Sequence, residues 1–267
     1  MKLQILISAL NADTDNLIKT MNLSSDAVIV NQCSENSRRT VELDSGLVTV
    51  INSTDRGVGN SRNLALENSD CDIVLFGDDD IVYTDTYLND ILSEFKTHPE
   101  ADGIFFNMDV DESRRTYHND EFGPVTLRSS GRFPTYSLAV SRKCVTDNNI
   151  SFSPLFGGGA KYSCGEDSLF IMDCLKAGLK LYKSPVTIGK EVLRPSTWFE
   201  GYTEKFFFDK GVLYPFLYGR LAVVVGARFI LKHKGTMCRD IKPLKAFSLL
   251  CKGISEGREI KNKDKNK

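Results

Sequence analysis

Short apolar runs alternate with amphipathic segments along the first two thirds of the chain. The apolar runs predict strands at Leu3–Ile7, Ala27–Val30, Leu47–Ile51, Ile73–Phe76, Gly103–Met108, Ser137–Val140 and Leu179–Lys183. The amphipathic segments predict helices at about Thr14–Met21, Val58–Glu67, Asp85–Lys96 and Ser168–Ala177. Strands that alternate with helices are typical of an α/β protein with a mostly parallel central sheet flanked by helices.

Polar side chains follow three of the predicted strands at the point where each strand ends. These groups are Asn31-Gln32, Asn52 to Arg56, and Asp78-Asp79-Asp80. Ligands of open α/β sheets bind in the crevice at the carboxyl ends of the strands. We therefore expect the three groups to lie at one edge of the sheet.

The three adjacent aspartates point to a cation. Carboxylates crowded at a strand end repel one another, which raises the pKa of at least one of them unless a cation is present. Mg²⁺ and Mn²⁺ prefer oxygen ligands, and Mg²⁺ typically takes only one or two carboxylates together with phosphate oxygens and water. An acidic loop that caps the next helix would need only one aspartate, so Asp78-Asp79-Asp80 favours a site for a divalent cation and a diphosphate.

A second acidic pair follows a glycine-rich loop. Gly157-Gly158-Gly159 precedes Gly165-Glu166-Asp167 at the start of a predicted helix. Acidic residues in a first helical turn stabilise the helix through its dipole, which would explain the pair without any catalytic role. The alternative is that one carboxylate is a general base for an acceptor hydroxyl, which contributes roughly 10²–10⁴-fold to a rate.

Composition and charge narrow the function further. The 267 residues are enough for one large domain with an extension, and a net charge of −1 argues against a nucleic-acid partner. From Lys232 to the end, eleven Lys and Arg stand against four Asp and Glu, so a basic tail follows an acidic body. The seven cysteines form no C-x-x-C pair, and the apolar N-terminus fits a first strand better than a signal peptide, so we expect a cytoplasmic protein.

Three motifs resemble one known family. The run from Arg56 to Ala65 is similar to the G-x-x-x-A-R-N segment of the inverting glycosyltransferase family 2. Phe76 to Asp80 resembles its D-x-D motif, and Gly165 to Phe170 resembles its E-D motif. The order and spacing agree, and the resemblance covers roughly residues 3 to 210.

The resemblance implies a GT-A fold, Rossmann-like, and dependence on a nucleotide sugar. It places a glycosyltransferase domain at residues 1–210, with a nucleotide-binding half (1–110) and an acceptor half (111–210). Residues 211–267 would form a helical C-terminal extension that is apolar and then basic.

The resemblance also implies roles for individual residues. Asp167 would be the catalytic base and Glu166 would shape the acceptor site. Asp80 would bind the metal, Mn²⁺ or Mg²⁺. The donor would contact Asn31, Gln32, Arg56, Arg62, Asp78 and Asp79, with Asp78 near the ribose and either arginine at the base or diphosphate.

Two departures from the family pattern affect these roles. Asn31-Gln32 stands where the family usually has an aspartate that pairs with uracil, although an amide can also donate to and accept from a pyrimidine edge. Some members supply a metal-binding histidine after the E-D motif, but Thr187 to Ser196 contains none. We therefore expect fewer protein ligands on the cation.

The predicted function is inverting transfer of a sugar to a hydroxyl of a glycan or lipid-linked saccharide, in cell-surface polysaccharide synthesis. A nucleotidyltransferase would share the sheet and acidic site, but it needs a Gly-rich loop with Lys or Arg where Ser8 to Asn11 stands. An inactive sugar- or nucleotide-binding module is the third hypothesis.

The C-terminal segment is compatible with three arrangements. Val212–Leu231 follows an aromatic-rich stretch (Trp198 to Phe208) and is about as long as a membrane span. It contains Arg220 and Arg228, and arginine is costly at the middle of a bilayer. The segment could instead be an interfacial helix with a basic tail, which gives peripheral membrane contact at the inner face, or a helix that covers the acceptor half.

Overall fold

The computed structural model describes residues 1–194 and 201–265, with side chains described up to residue 263. Ten strands form one sheet: β1 Leu3–Leu10, β2 Asp26–Gln32, β3 Ser37–Leu43, β4 Gly46–Ser53, β5 Ile73–Asp78, β6 Ile81–Tyr83, β7 Gly103–Asp109, β8 Gly123–Pro124, β9 Leu138–Ser141 and β10 Leu181–Glu191. The strand order is β3-β4-β2-β1-β5-β9-β7-β10-β6, and β8 pairs with β10. Strands β4, β2, β1 and β5 are parallel, as are β7 and β10.

Eight helices accompany the sheet in the described residues: α1 Thr14–Thr20, α2 Val58–Glu67, α3 Tyr87–Thr97, α4 Arg142–Asp147, α5 Glu166–Lys176, α6 Glu204–Tyr218, α7 Ala222–His233 and α8 Pro243–Lys265. Successive side chains of a strand point to opposite faces. Ile5 and Ile7 of β1 accordingly join one core with α1 and α3, while Leu6 joins a second core with α2 and α5. The α/β class and the flanked sheet predicted from the sequence are confirmed.

Three strands have no clear signal in the hydrophobic pattern, and one of them, β8, has only two residues. β3 forms an antiparallel hairpin with β4, but most of its residues are exposed, so no apolar alternation marks it. β6 has only three residues and pairs with the end of β10. β5 is longer than predicted and carries Asp78 as its last residue.

The C-terminal extension begins inside a helix. The predicted boundary after residue 210 falls within α6, because apolar residues on both sides of it, Phe207 and Val212, are buried. The expected continuous segment Val212–Leu231 is divided at Gly219, where φ is +55°. Most of the basic tail forms α8, and Trp198 and Phe199 of the predicted aromatic stretch lie outside the described residues.

The helices of the extension differ in burial. Among the described residues, one helical stretch, Glu204–His233, has the length and mean hydropathy (1.3) of a membrane span, and a third of its most apolar part is buried. Its first half, α6, packs on α8 and on the rest of the chain through Phe207 and Leu213. Its second half, α7, leaves Val224 and Leu231 exposed.

Candidate active site

A cavity of about 250 Å³ lies at the carboxyl ends of β1 and β5 and beside the start of α5. The strand register creates it, because Ser8 of β1 pairs with Asp78 of β5 and Leu10 pairs with Gln32 of β2. Seven of the nine predicted site residues line the cavity: Gln32, Arg62, Asp78, Asp79, Asp80, Glu166 and Asp167. The strand-end groups therefore lie at one edge of the sheet, as the sequence predicts.

Arg62 of α2 connects the two acidic motifs. Its Nη2 donates to Asp78 Oδ1 at 2.9 Å and its Nη1 donates to Asp167 Oδ1 at 2.7 Å. Nη1 is also 3.7 Å from Glu166 Oε1. Burial lowers the pKa of this guanidinium, but the three carboxylates raise that pKa by more than burial lowers it. The net shift is upward, and Arg62 stays charged.

The Arg62 side chain is fixed by packing as well as by charge. It is 3% exposed, and its guanidinium lies 5.3 Å from the centre of the Phe152 ring. The ring of Phe152 in turn stacks on that of Phe170. Both Nη atoms are committed to carboxylates, so Arg62 holds the protein's own acidic groups rather than presenting a free guanidinium.

One carboxylate oxygen of Asp167 accepts two hydrogen bonds. Its Oδ1 accepts from Arg62 and from the Thr135 hydroxyl. Both contacts orient the carboxylate while leaving Oδ2 as the oxygen that can take a proton. Thr135 belongs to a short 3₁₀ turn, Thr135–Ser137, and no sequence motif marks it.

Glu166 is packed against the glycine-rich loop. Burial, followed by the adjacent Asp167, raises the pKa of the Glu166 carboxyl. Gly157 has φ +106°, and a Cβ there would lie 2.7 Å from Glu166 Cδ. The loop therefore requires glycine at this position, both for its backbone conformation and for its close approach to the carboxyl group.

Asp79 and Asp80 share an arginine that the sequence patterns do not mark. Arg194 Nη2 contacts Asp79 Oδ1, and Arg194 Nε donates to Asp80 Oδ2 at 3.1 Å. Burial first, and then the negative charge of Asp78, raises the pKa of Asp80 to about 6. The unfavourable crowding expected for three adjacent aspartates is therefore present at Asp80.

The carboxylate oxygens of Asp79 and Asp80 suit a hard divalent cation with few protein ligands. Asp79 and Asp80 line the cavity at the strand end. Within residues 1–194 and 201–265, no group of three or more His, Cys, Asp or Glu side chains is arranged to hold a metal ion. A cation held by one or two carboxylates and completed by phosphate oxygens and water fits this donor set.

The side-chain amides of Asn31 and Gln32, which are predicted to contact the donor base, form hydrogen bonds within the protein. Asn31 Oδ1 accepts from the Ala12 amide at 2.9 Å, and Gln32 Oε1 accepts from the Gly57 amide at 2.8 Å. Arg56 Nη1 donates to the Gln32 carbonyl at 2.9 Å. Gln32 lines the cavity. Asn31 and Arg56 lie outside its lining, and their hydrogen bonds hold the backbone next to it.

Two further residues that the sequence patterns do not mark also line the cavity. Arg114 forms an ion pair of 2.7 Å with Glu191, and Tyr136 lies close to the acidic groups. Burial, followed by neighbouring negative charges, raises the pKa of Tyr136, so its phenol stays protonated. Both belong to residues 111–210, the predicted acceptor half, where the sequence has motifs only around residues 157–167.

The fold is similar to that of solved glycosyltransferase structures. The S. aureus TarS fragment 1–349, solved in complex with UDP-GlcNAc, has a TM-score of 0.63 and 17% identity, over 90% of this chain and 74% of that one. S. aureus TarS has a TM-score of 0.61 and 18% identity, over 91% of this chain and 46% of that one. No curated protein sequence matches the chain significantly.

A family model identifies the chain by sequence. The model of glycosyl transferase family 2 matches residues 8–152, which is more than half of the chain. The match includes Arg62 and Asp78 to Asp80, while Glu166 and Asp167 lie beyond it. The chain therefore belongs to glycosyl transferase family 2.

Proposed function

We propose that the protein transfers a sugar from a nucleotide-diphosphate sugar to a hydroxyl group, with inversion at the anomeric carbon. The observation that carries this proposal is the Arg62 bridge between Asp78 and Asp167. It holds an acidic strand end, suited to a metal-bound diphosphate, and a candidate base on α5 in one cavity.

We propose a uridine nucleotide as the carrier of the donor sugar. S. aureus TarS, which shares the fold, has been solved with UDP-GlcNAc and with UDP. In this chain Asp78 would face the ribose and Asp79 would face the diphosphate across the bound cation, while Gln32 is the predicted amide that reaches the cavity. Asn31 and Arg56 would support this site from behind, and Arg62 would hold Asp78 within it.

Asp167 is the proposed general base. Arg62 and Thr135 fix its Oδ1, so that Oδ2 can accept the proton of an acceptor hydroxyl as that oxygen attacks the anomeric carbon. Attack comes from the face opposite the diphosphate, and one base without a nucleophilic carboxylate gives inversion. Glu166, buried beside the base, would shape the acceptor side of the cavity.

Asp80, with Asp79, would hold a Mn²⁺ or Mg²⁺ ion. When bound, the ion would neutralise the charge that develops on the leaving diphosphate. Burial, followed by the negative charge of Asp78, raises the pKa of Asp80, and a bound cation would offset both effects, which supports this assignment.

The acceptor is proposed to be a glycan or a lipid-linked saccharide of cell-surface polysaccharide synthesis. This proposal connects the cavity with the C-terminal extension, which carries an apolar and basic surface. Leu221, Val224, Arg228 and Leu231 follow a spacing of three or four residues and form one exposed stripe of the extension.

The charge around this stripe favours an anionic lipid surface at the cytoplasmic face of a membrane. Residues 210–239 contain six Lys and Arg and no Asp or Glu. The exposed fractions of Leu221, Val224 and Leu231 are 63%, 66% and 69%. Exposed apolar side chains among basic ones are typical of helices that lie at the membrane surface.

Cosedimentation with vesicles tests this surface. The full chain is expected to bind vesicles that contain phosphatidylserine, to bind pure phosphatidylcholine less, and to be released by high salt. The double variant Val224→Asp, Leu231→Asp should lose most of this binding. Leu127→Asp, which changes an exposed leucine elsewhere, is the control. Equal binding by the double variant and the wild type would rule out the stripe as the contact.

A panel of nucleotide sugars tests the proposed reaction. Release of free nucleotide from one donor class, dependent on an acceptor hydroxyl and on Mn²⁺ or Mg²⁺, is expected, with inverted anomeric configuration in the product by NMR. Donor binding without turnover for every donor and acceptor would instead support an inactive binding module. Release of inorganic diphosphate from a nucleoside triphosphate and a sugar phosphate would support a nucleotidyltransferase.

A further inference from the structure

Arg194 is held beside the three aspartates by the backbone. The end of β10 pairs with β6, so that Glu191 lies opposite Ile81. The Val192 amide then donates to the Asp80 carbonyl at 2.7 Å. Two residues later the chain reaches Arg194, which lines the cavity together with Asp79 and Asp80.

The Arg194 guanidinium spans both carboxylates. Nη2 contacts Asp79 Oδ1, and Nε donates to Asp80 Oδ2 at 3.1 Å. Charge-assisted contacts of this kind are among the stronger hydrogen bonds of proteins. The positive group therefore occupies oxygens that a divalent cation would use.

Arg62 and Arg194 differ in how easily each can move away from the carboxylates that it contacts. Arg62 is 3% exposed and contacts three carboxylates, so its departure would leave charges unpaired in a buried place. Arg194 is 41% exposed at its side chain. A cation that binds Asp79 and Asp80 can displace Arg194 at lower cost than Arg62.

We propose that Arg194 is a built-in counter-cation, which occupies Asp79 and Asp80 in the metal-free enzyme and makes cation binding conditional on the donor diphosphate. A divalent ion alone must displace the guanidinium and leave it beside another positive charge. A diphosphate that arrives with the ion gives the displaced guanidinium a new anionic partner. By linkage, the diphosphate then strengthens cation binding as much as the cation strengthens diphosphate binding. This inference rests on the proposed cation site.

Titration of Mn²⁺ tests the inference without measuring activity. The free-ion signal in electron paramagnetic resonance gives the Kd of Mn²⁺ for the wild type, with and without UDP. Arg194→Gln is expected to bind Mn²⁺ alone about 2- to 5-fold more tightly than the wild type, since an ion pair of this exposure is worth up to about that factor. The factor by which UDP tightens Mn²⁺ binding should shrink in the variant.

Two further variants separate the specific contact from general charge. Arg114→Gln removes the same charge from the same cavity, but Arg114 pairs with Glu191 rather than with the aspartates. Its Mn²⁺ affinity should change much less. Arg194→Lys keeps the charge without the planar fork, and its affinity should fall between those of the wild type and Arg194→Gln.

The outcomes distinguish this inference from the cation site on which it rests. Equal Mn²⁺ affinity in the wild type and Arg194→Gln overturns the counter-cation and leaves the site intact. Equal gains in Arg114→Gln and Arg194→Gln also overturn it, because the effect is then one of net charge. No Mn²⁺ binding in any variant, with or without UDP, overturns both the inference and the proposed cation site.

Discussion

At the scale of single residues, Arg62 determines how the acidic groups of the cavity are arranged. One buried guanidinium offsets part of the negative charge of Asp78, Glu166 and Asp167, which come from two motifs far apart in the chain. Without it, these carboxylates would repel one another in a partly desolvated place. The site is therefore organised before any ligand binds.

Arg62→Met should destabilise the protein strongly. Removal of one partner from a buried ionic cluster typically costs about 3–5 kcal/mol in the free energy of unfolding, because the remaining charges are left uncompensated. Urea unfolding of the variant and of Arg228→Met, an exposed control, measures the difference. A loss below about 1 kcal/mol in Arg62→Met, similar to that of an exposed pair, would contradict this role.

Cation binding should weaken in acid through the titration of Asp80. Its pKa is raised to about 6 in the metal-free protein. The protonated carboxyl is a poor ligand. The affinity for the cation therefore has its full value well above pH 6 and falls as the pH drops through that value. Titration of Mn²⁺ in the presence of UDP from about pH 5 to about pH 7.5 measures this dependence. A flat profile across that range would show that Asp80 does not control binding.

Some site residues are predictable from the sequence and others are not. Asp78 to Asp80, Glu166 and Asp167 stand in motifs directly after an apolar strand or at the start of a helix, so that position and residue type agree. Arg194 lies 114 residues from Asp80 in the chain and stands in no motif. Thr135 is also a common residue in an irregular segment, and only the folded chain places its hydroxyl on Asp167.

At the scale of elements, glycines allow α6 and α8 to pack closely. A Cβ on Gly253 of α8 would lie 2.1 Å from the Phe208 carbonyl, and one on Gly257 would lie 2.3 Å from the Val212 carbonyl. On the facing helix, a Cβ on Gly211 would lie 2.2 Å from the Leu250 carbonyl. These contacts involve backbone atoms, which cannot move aside by a change of rotamer.

Gly253→Ala should therefore destabilise the extension although alanine favours helices. The gain in helix propensity is at most about 1 kcal/mol. The forced separation of two packed helices typically costs about 1–3 kcal/mol. Thermal unfolding should show a lower Tm for Gly253→Ala, while Gly235→Ala, where a Cβ meets nothing within 4 Å, should unfold near the wild type. An unchanged or higher Tm for Gly253→Ala would mean that the helices can separate without loss.

The predictability of elements follows their burial. The strands at the centre of the sheet are apolar on both faces and stand out in the sequence, as Val28 and Ile29 of β2 show with no exposed surface. β3 has little buried surface, so its sequence resembles that of a loop. The division of the apolar C-terminal segment at Gly219 depends on how α6 and α7 each pack, which the local sequence does not specify.

At the scale of the whole molecule, the fold brings two parts of the chain to one cavity. The parallel strands β2, β4 and β5 end with the groups predicted for the donor, and the end of β1 lines the cavity beside them. The segment from Arg114 to Asp167 adds the opposite wall, and Gly165 at the start of α5 contacts Leu213 of α6. The extension is thus packed directly behind the helix that carries the proposed base, which connects the stability of the extension to the geometry of the site.

The most direct test of the proposed reaction is the rate of sugar transfer by Asp167→Asn. Asparagine keeps the size of the side chain and can still accept from Arg62 and Thr135, but it cannot take a proton at neutral pH. We expect a loss of transfer of about 10²–10⁴-fold, with the Kd for UDP and Mn²⁺ changed little. Transfer at the wild-type rate by a folded Asp167→Asn protein would contradict the assignment of Asp167 as the base.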